Sequence, residues 1–441
     1  MEATRRSALQ LILASGLLSC FPRIAVAGPA VCRTGILTSH RLGNGLRVHC
    51  YRNGSKYVSA ALVLRSCEIL NHSGLAHILE HTSFTGAAGN YSAKELKRRH
   101  RTFIQDSNAS TSPGRLEWYA SFLPKYAPEA IELLAITSLD QKCDLRTVES
   151  EAKIVLQELL LDKHSGDAAI RRQFNAALYG ENHPYAVDNC DAEIAKVKLP
   201  ARELARELTE YASLIRQPAN MDLVLVGDVE TGDISQLVEK CFGCYPHAQG
   251  PVLEIPKAQP TREYRSIEGV SGDLERPLSE IRIGWNTGVT INDPDARVLL
   301  TLGAYLNDVI FSEVRERHGD SYSPEAYFEP DGCSGIFTIS AITSKHPELV
   351  EERIFSAIER VKEEIDPLEL RLHKERWELK RLRTAESGSS MLECLVARIV
   401  EGCAVEDLDI ESVSPAEMVE AARKYLPDYK GAYTRVTLNG A

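Results

Sequence analysis

SGLAHILEHTSF, residues 73–84, places His77, Glu80 and His81 in one short segment of helical character. Leu75, Ile78 and Leu79 interleave with the polar residues, as on a helix with one buried face and one working face. His77 and His81 are four residues apart, so both imidazoles leave the same side of the helix and can reach one metal ion. Glu80 follows His77 by three residues and stands beside that pair.

Two histidines do not close a catalytic zinc site, which takes three protein ligands and a water. The candidate for the third ligand lies in Thr147–Leu161, TVESEAKIVLQELLL. This run predicts a helix with Ile154, Val155 and Leu159 buried. Glu151 and Glu158 share a face, because seven residues are close to two full turns. Between His81 and Glu158 lie 76 residues.

An inverted HxxEH motif, a glutamate after that interval and a further glutamate seven residues earlier resemble the pitrilysin and insulinase family of metallopeptidases. The resemblance implies one zinc ion (Zn2+) per chain, held by His77, His81 and Glu158. Zinc would acidify its water and polarise the scissile carbonyl. Glu80 then has the role of general base toward the water and proton donor to the leaving amine. Glu151 would orient a ligand or the water from outside the coordination sphere.

At 441 residues and 44% hydrophobic composition the chain exceeds what one core usually spans, so two or three domains are expected. A formal net charge of -11 without a long basic block argues against nucleic acid or an anionic membrane as the main partner. At the N-terminus, Arg5 and Arg6 precede an apolar run from Ala8 to Phe21, and Ala25-Val26-Ala27 precedes Gly28. That order predicts a signal peptide over residues 1–28, too short in its apolar run to span a membrane, and export to a bacterial periplasm. Thr4-Arg5-Arg6 with Leu9 resembles a twin-arginine signal. A lipoprotein site at Leu17–Cys20 and a mitochondrial presequence are the alternatives.

Eleven cysteines are present, and ten remain once Cys20 leaves with the signal. An even number in an exported chain permits disulfides without fixing their pairing. Cys241 and Cys244 form a CxxC after an amphipathic helix, read as a local disulfide or free thiols in preference to redox catalysis.

Along the mature chain, His40–Tyr51 and Tyr57–Ser66 read as two strands of a hairpin around Arg52–Lys56, ahead of the metal helix. Residues 103–113 and Leu116–Leu123 read as further strand-like stretches. Asn108 and Ala109 resemble the family's Asn-Ala pair on the strand lining the cleft, where a substrate peptide adds as an extra strand. Helices are expected at Ala127–Leu139, Thr147–Leu161, Asp167–Leu178 and Ala201–Ile215. A buried strand at Met221–Asp228 and a helix at Ile234–Phe242 follow. His183-Pro184-Tyr185 resembles a loop of the same family.

The stretch Tyr245–Arg262 is proline-rich and aperiodic, the natural linker between two halves. The second half repeats the order of the first: a strand at Glu280–Thr287, a long helix at Asp293–Glu316 and strands around Ala326 and Phe337–Ile342. Helices at Pro347–Glu364, Leu368–Thr384, Met391–Val400 and Pro415–Tyr425 follow. The helix matching the metal helix carries VLLTLGAYL, with no ligands. The expected fold is α+β, two homologous α/β-layer domains arising by internal duplication and forming half of a clamshell. Residues 29–250 make the zinc-binding domain, 251–262 the linker and 263–441 the homologous domain without ligands.

Arg315 and Tyr322 in that second domain resemble the family's arginine and tyrosine pair that reaches across the cleft. Both can donate hydrogen bonds to the oxyanion that develops on the attacked carbonyl. The function expected is a zinc endopeptidase acting on extended peptides or unfolded segments, with strand addition reading mostly backbone. The alternatives are a non-catalytic peptide-binding or assembly subunit and, further off, a thiol oxidoreductase resting on Cys241 and Cys244. In the family a chain of this size pairs with another around the cleft. The expected partners are therefore a peptide and either a second copy or an inactive paralogue, with no nucleic acid.

Overall fold

The computed structural model describes residues 35–65, 74–112, 114–164, 168–187, 190–228, 231–247, 255–271, 274–400, 402 and 408–441. The expected signal peptide and the lipoprotein alternative fall outside them. Among the described residues no helix is long and apolar enough to cross a membrane.

Six strands form the first sheet: β1 Ile36–Arg41, β2 Arg47–Arg52, β3 Val58–Arg65, β4 Asp106–Ser112, β5 Arg115–Phe122 and β6 Met221–Val226. Their order is β1-β2-β6-β3-β5-β4, with β2 and β6 parallel and every other pair antiparallel. Every residue of β6 is buried, as is all of β3 before Arg65, so both strands read as unbroken apolar runs. In β5 the residues alternate between buried and half-buried, the period-2 signature of a strand with one face on the core.

The expected hairpin across Arg52–Lys56 does not form. β6 lies between β2 and β3, pairing Cys50 with Leu225 on one side and Ala60 with Leu225 on the other. The hairpin in this region joins β1 to β2 instead. A wholly buried strand needs backbone partners along both edges, and β6 finds them here.

The second sheet is built from β7 Arg265–Ser271, β8 Ser279–Asn286, β9 Glu325–Pro330, β10 Gly335–Thr343 and β11 Thr434–Gly440, in the order β7-β11-β8-β10-β9. Its first pair is parallel and the others antiparallel. This repeats β2-β6-β3-β5-β4 strand for strand and in the sense of every pairing. The internal duplication is thus written in the topology, with β1 the addition of the first half.

Each sheet carries a helical layer on its inner face. In the first half the helices are α1 Leu75–Thr82, α2 Ala93–Phe103, α3 Ala127–Leu139, α4 Leu145–His164, α5 Ala168–Tyr179, α6 Cys190–Val197, α7 Ala201–Ile215 and α8 Thr231–Phe242. In the second they are α9 Ala296–Ile310, running on into a π-helical turn at Phe311–Arg317, then α10 Pro347–Glu363, α11 Pro367–Glu386, α12 Gly388–Val400 and α13 Pro415–Tyr425. Leu62, Leu64 and Leu223 pack with Ile78, Leu79, Ile131 and Leu208 in one core. Ile281, Ile283 and Phe337 pack with Leu299, Leu302, Ile354 and Met418 in the other.

The outer faces are covered by exchange. Met391, Leu395 and Ile399 of α12 pack on Ala61, Val63, Val224 and Val226 of the first sheet. Ile170, Phe174 and Leu178 of α5 pack on Ile336, Val436 and Leu438 of the second. A Cβ on Gly284 would sit 2.5 Å from the Phe174 ring, so the strand must be bare at that point for α5 to lie flush. Across the linker, the His183 imidazole donates from Nε2 to the Pro256 carbonyl at 2.8 Å, and Ala258 donates to the Cys333 carbonyl at 2.8 Å.

Candidate metal centre

Helix α1 is short, and tertiary contacts hold it. Gly74 caps its start at φ 82°, a left-handed conformation that glycine adopts without strain. Leu75, Ala76, Ile78, Leu79 and Thr82 are buried. Past its end, the Ser83 hydroxyl donates to the Leu79 carbonyl at 2.7 Å and accepts from the Trp118 indole of β5 at 2.9 Å. His77, Glu80 and His81 remain on the open side, each partly exposed.

Helix α4 faces them. Glu158 Oε2 lies 3.5 Å from His77 Nε2 and 3.3 Å from His81 Nε2. These three side chains can hold a metal ion, with one donor atom from each lying within 4.8 Å of the others. Donors bound to a single zinc at about 2.1 Å and tetrahedral angles lie roughly 3.4 Å apart, so both the donor types and their spacing fit zinc. Glu80 belongs to the same face but not to the donor cluster.

The remaining ring nitrogens also face carboxylates. Glu151 Oε2 is 3.5 Å from His81 Nδ1, and Glu193 Oε2 of α6 is 3.7 Å from His77 Nδ1. Burial works to lower the His77 pKa, but Glu193, Glu80 and Glu158 outweigh it and the net direction is upward. Acidic groups concentrated around the two imidazoles favour a bound cation.

Two placements add to or correct the sequence reading. Val155 and Leu159 are buried as expected, but Ile154 is 42% exposed. It lies four residues before the half-exposed Glu158, so it shares that open face instead of the core, while Glu151, a turn earlier, is itself buried at 7% exposure. Glu193 had no counterpart in the sequence reading, which assigned no element to Cys190–Val197. The spacing of Cys190, Ile194 and Val197, all buried, was the available signal for a helix there.

Ala109 is buried in the core and Asn108 exposed, on a strand that pairs, among the described residues, with β5 alone. The free edge of β4 runs beside α1, where the Thr111 hydroxyl donates to the Ala76 carbonyl at 3.5 Å. Arg315 and Tyr322 meet each other elsewhere, the guanidinium 4.5 Å from the phenol ring centre and 4.9 Å from that of Phe311. Among the described residues no hydrogen bond, ion pair or ring contact joins either of them to His77, His81 or Glu158. Cys241 and Cys244 are free thiols, and burial pushes Cys241 up to about 11, which leaves it a poor nucleophile.

A helix with an inverted His-x-x-Glu-His face, set beside the edge strand of one sheet and followed by a second copy of that sheet, makes a duplicated fold with one candidate metal centre on its first half. The family model described as Insulinase (Peptidase family M16) matches residues 67–187, and that described as Peptidase M16 inactive domain matches residues 204–376. The chain belongs to this insulinase family, M16.

Among its relatives, the Bacillus subtilis protein named uncharacterized zinc protease YmxG is 24% identical over 327 residues, 73% of this chain and 76% of that protein. A Mycobacterium bovis protein also named an uncharacterized zinc protease is 27% identical over 277 residues, 61% of this chain and 60% of its own length. A crystal structure of a protease from Helicobacter pylori has a TM-score of 0.79 at 21% identity, covering 92% of this chain and all (100%) of that one. The periplasmic protease PqqL from Escherichia coli has a TM-score of 0.74 at 14% identity, over 93% of this chain and 48% of that chain.

Proposed function

We propose that this chain is a zinc endopeptidase cleaving extended peptides or unfolded polypeptide segments. One observation carries the reading: Glu158 Oε2 stands 3.3 and 3.5 Å from the Nε2 atoms of His81 and His77, a ready set of three donors. The names of relatives as zinc proteases support it. The non-catalytic alternative would leave such a donor set without work.

His77, His81 and Glu158 would hold the zinc, which when bound supplies Lewis acidity and an acidified water. Glu80, beside the donors and outside their cluster, takes the proton from the attacking water and returns it to the leaving amine. Glu151 holds the His81 ring in orientation through Nδ1. The free edge of β4 takes the substrate as an added strand, so backbone groups around Asn108 and Ala109 position the scissile bond while leaving side-chain preference broad.

Arg315 and Tyr322 donate hydrogen bonds to the oxyanion. Among the described residues no contact joins them to the donor cluster of their own chain, so their proposed place is across a cleft enclosed by two chains. That assembly is a homodimer, or a heterodimer with an inactive paralogue. Residues 1–28 direct export, and the site of action is the periplasm.

Elemental analysis of the mature protein, together with cleavage of a quenched fluorescent peptide library with and without a chelator, tests this reading. About one zinc per chain with chelator-sensitive cleavage is expected. A protein that takes up no zinc overturns it.

A further inference from the structure

We infer that Glu193 is a positioning residue for the metal centre, holding the His77 ring through Nδ1 as Glu151 holds that of His81. The inference rests on the zinc reading above and extends it to a residue outside the stretch 67–187 that the insulinase model matches. The two imidazoles are treated alike. His81 has Glu158 3.3 Å from Nε2 and Glu151 3.5 Å from Nδ1; His77 has Glu158 at 3.5 Å and Glu193 at 3.7 Å. A carboxylate behind a ligating imidazole fixes its tautomer and orientation and raises its basicity.

The placement of Glu193 is built into the packing. Helix α6 is anchored by Cys190, Ile194 and Val197 in the main core, and the Cys190 thiol donates to the Leu159 carbonyl of α4 at 3.7 Å. The Glu158 and Glu193 helices are therefore tied together next to the donor atoms. At the start of α1, a Cβ on Gly74 would lie 3.0 Å from Glu193 Cγ and 3.1 Å from its Cα and Cβ. Only glycine lets α6 come this close. The side chain of Glu193 is 15% exposed, which shields its charge from water and directs it to His77.

The test is zinc affinity, measured by competition with a chromophoric chelator on the full chain and on Glu193→Ala, Glu193→Gln and Gly74→Ala. Glu193→Ala should bind zinc 10- to 100-fold more weakly, of the order found when such outer carboxylates are removed. Glu193→Gln keeps an acceptor oxygen at the same reach and should lose less. Gly74→Ala, which displaces the carboxylate without removing it, should weaken zinc in the same direction. The unfolding midpoint of the metal-free proteins and the visible spectrum of their cobalt forms separate positioning from folding. For the Glu193 variants a changed cobalt spectrum with an unchanged metal-free midpoint is the expected result; Gly74→Ala, strained at φ 82°, should lower that midpoint as well. Parental zinc affinity in Glu193→Ala overturns the inference while leaving the peptidase reading intact. Failure of the parental protein to bind zinc overturns both.

Discussion

The Arg315 guanidinium lies 4.5 Å from the ring centre of Tyr322, a side chain that is 80% exposed. Stacking on a cation is what holds so exposed a phenol in place, a contact worth about 0.5–1 kcal/mol at such sites. The two should therefore act as a unit. Arg315→Ala and Tyr322→Phe should each lower kcat by about 10- to 100-fold, and the double variant by little more than Arg315→Ala alone. Steady-state kinetics beside zinc content checks this: the metal should stay. Effects that multiply would mean that the residues serve separately.

Glu80 has a different signature, because it stands beside the donors and not among them. Glu80→Gln should retain zinc and lose about 10²- to 10⁴-fold in kcat, the usual contribution of a general base. His77→Ala and Glu158→Ala should lose the metal along with turnover. Cleavage by Glu80→Gln at the parental rate would remove the general-base role.

Where sequence periodicity reports local burial, the elements were legible. The helices at Ala127–Leu139, Ala201–Ile215 and Pro415–Tyr425 have the bounds their patterns predict. In the last, the Ser414 and Glu417 capping box marks the start. Ile154 was misread because an apolar residue on an open functional face looks the same in sequence as one in a core.

Longer-range features were hidden for another reason. The partner that separates β2 from β3 is β6, whose Asp222 pairs with Arg47 across 175 residues, and no local pattern encodes such a pairing. Edge strand β7 exposes most of RSIEGVS and so lacked an apolar signal. Glu193 reaches His77 only through the placement of α6, so its role is a product of tertiary packing.

The exchange of α5 and α12 between the sheets predicts that the two halves unfold together. Phe174 is 1% exposed and fills the space above Gly284. Phe174→Ala should cost about 3–5 kcal/mol, the usual range for a buried phenylalanine. Denaturant unfolding followed by tryptophan fluorescence reads both halves, through Trp118 in the first sheet and Trp285 in the second. A single transition moved to lower denaturant is expected. Two separated transitions in the parental protein would show that the halves are independent.

Asp222 sets the acid limb of stability. Its carboxylate is fully buried on β6, with Arg47 at 2.7 Å, Arg65 at 2.7 Å and His49 at 3.1 Å. Burial alone would raise its pKa, but the hydrogen bonds from Arg47 and His49 and the field and hydrogen bond of Arg65 reverse this and hold it well below the usual carboxylate range. A carboxylate depressed in the folded state stabilises fully above its unfolded pKa of about 3.9, and the contribution is lost as pH falls below that value. Asp222→Asn removes the charge while leaving Arg47 and Arg65 facing each other in a partly buried site. The loss at pH 7 should be about 3–5 kcal/mol, the range for breaking a buried pair from one side. Unfolding free energies of the parental and variant proteins should differ by a constant amount above about pH 4 and converge as pH falls from about 4 to about 2. Parallel curves over that range would mean that Asp222 does not carry the acid dependence.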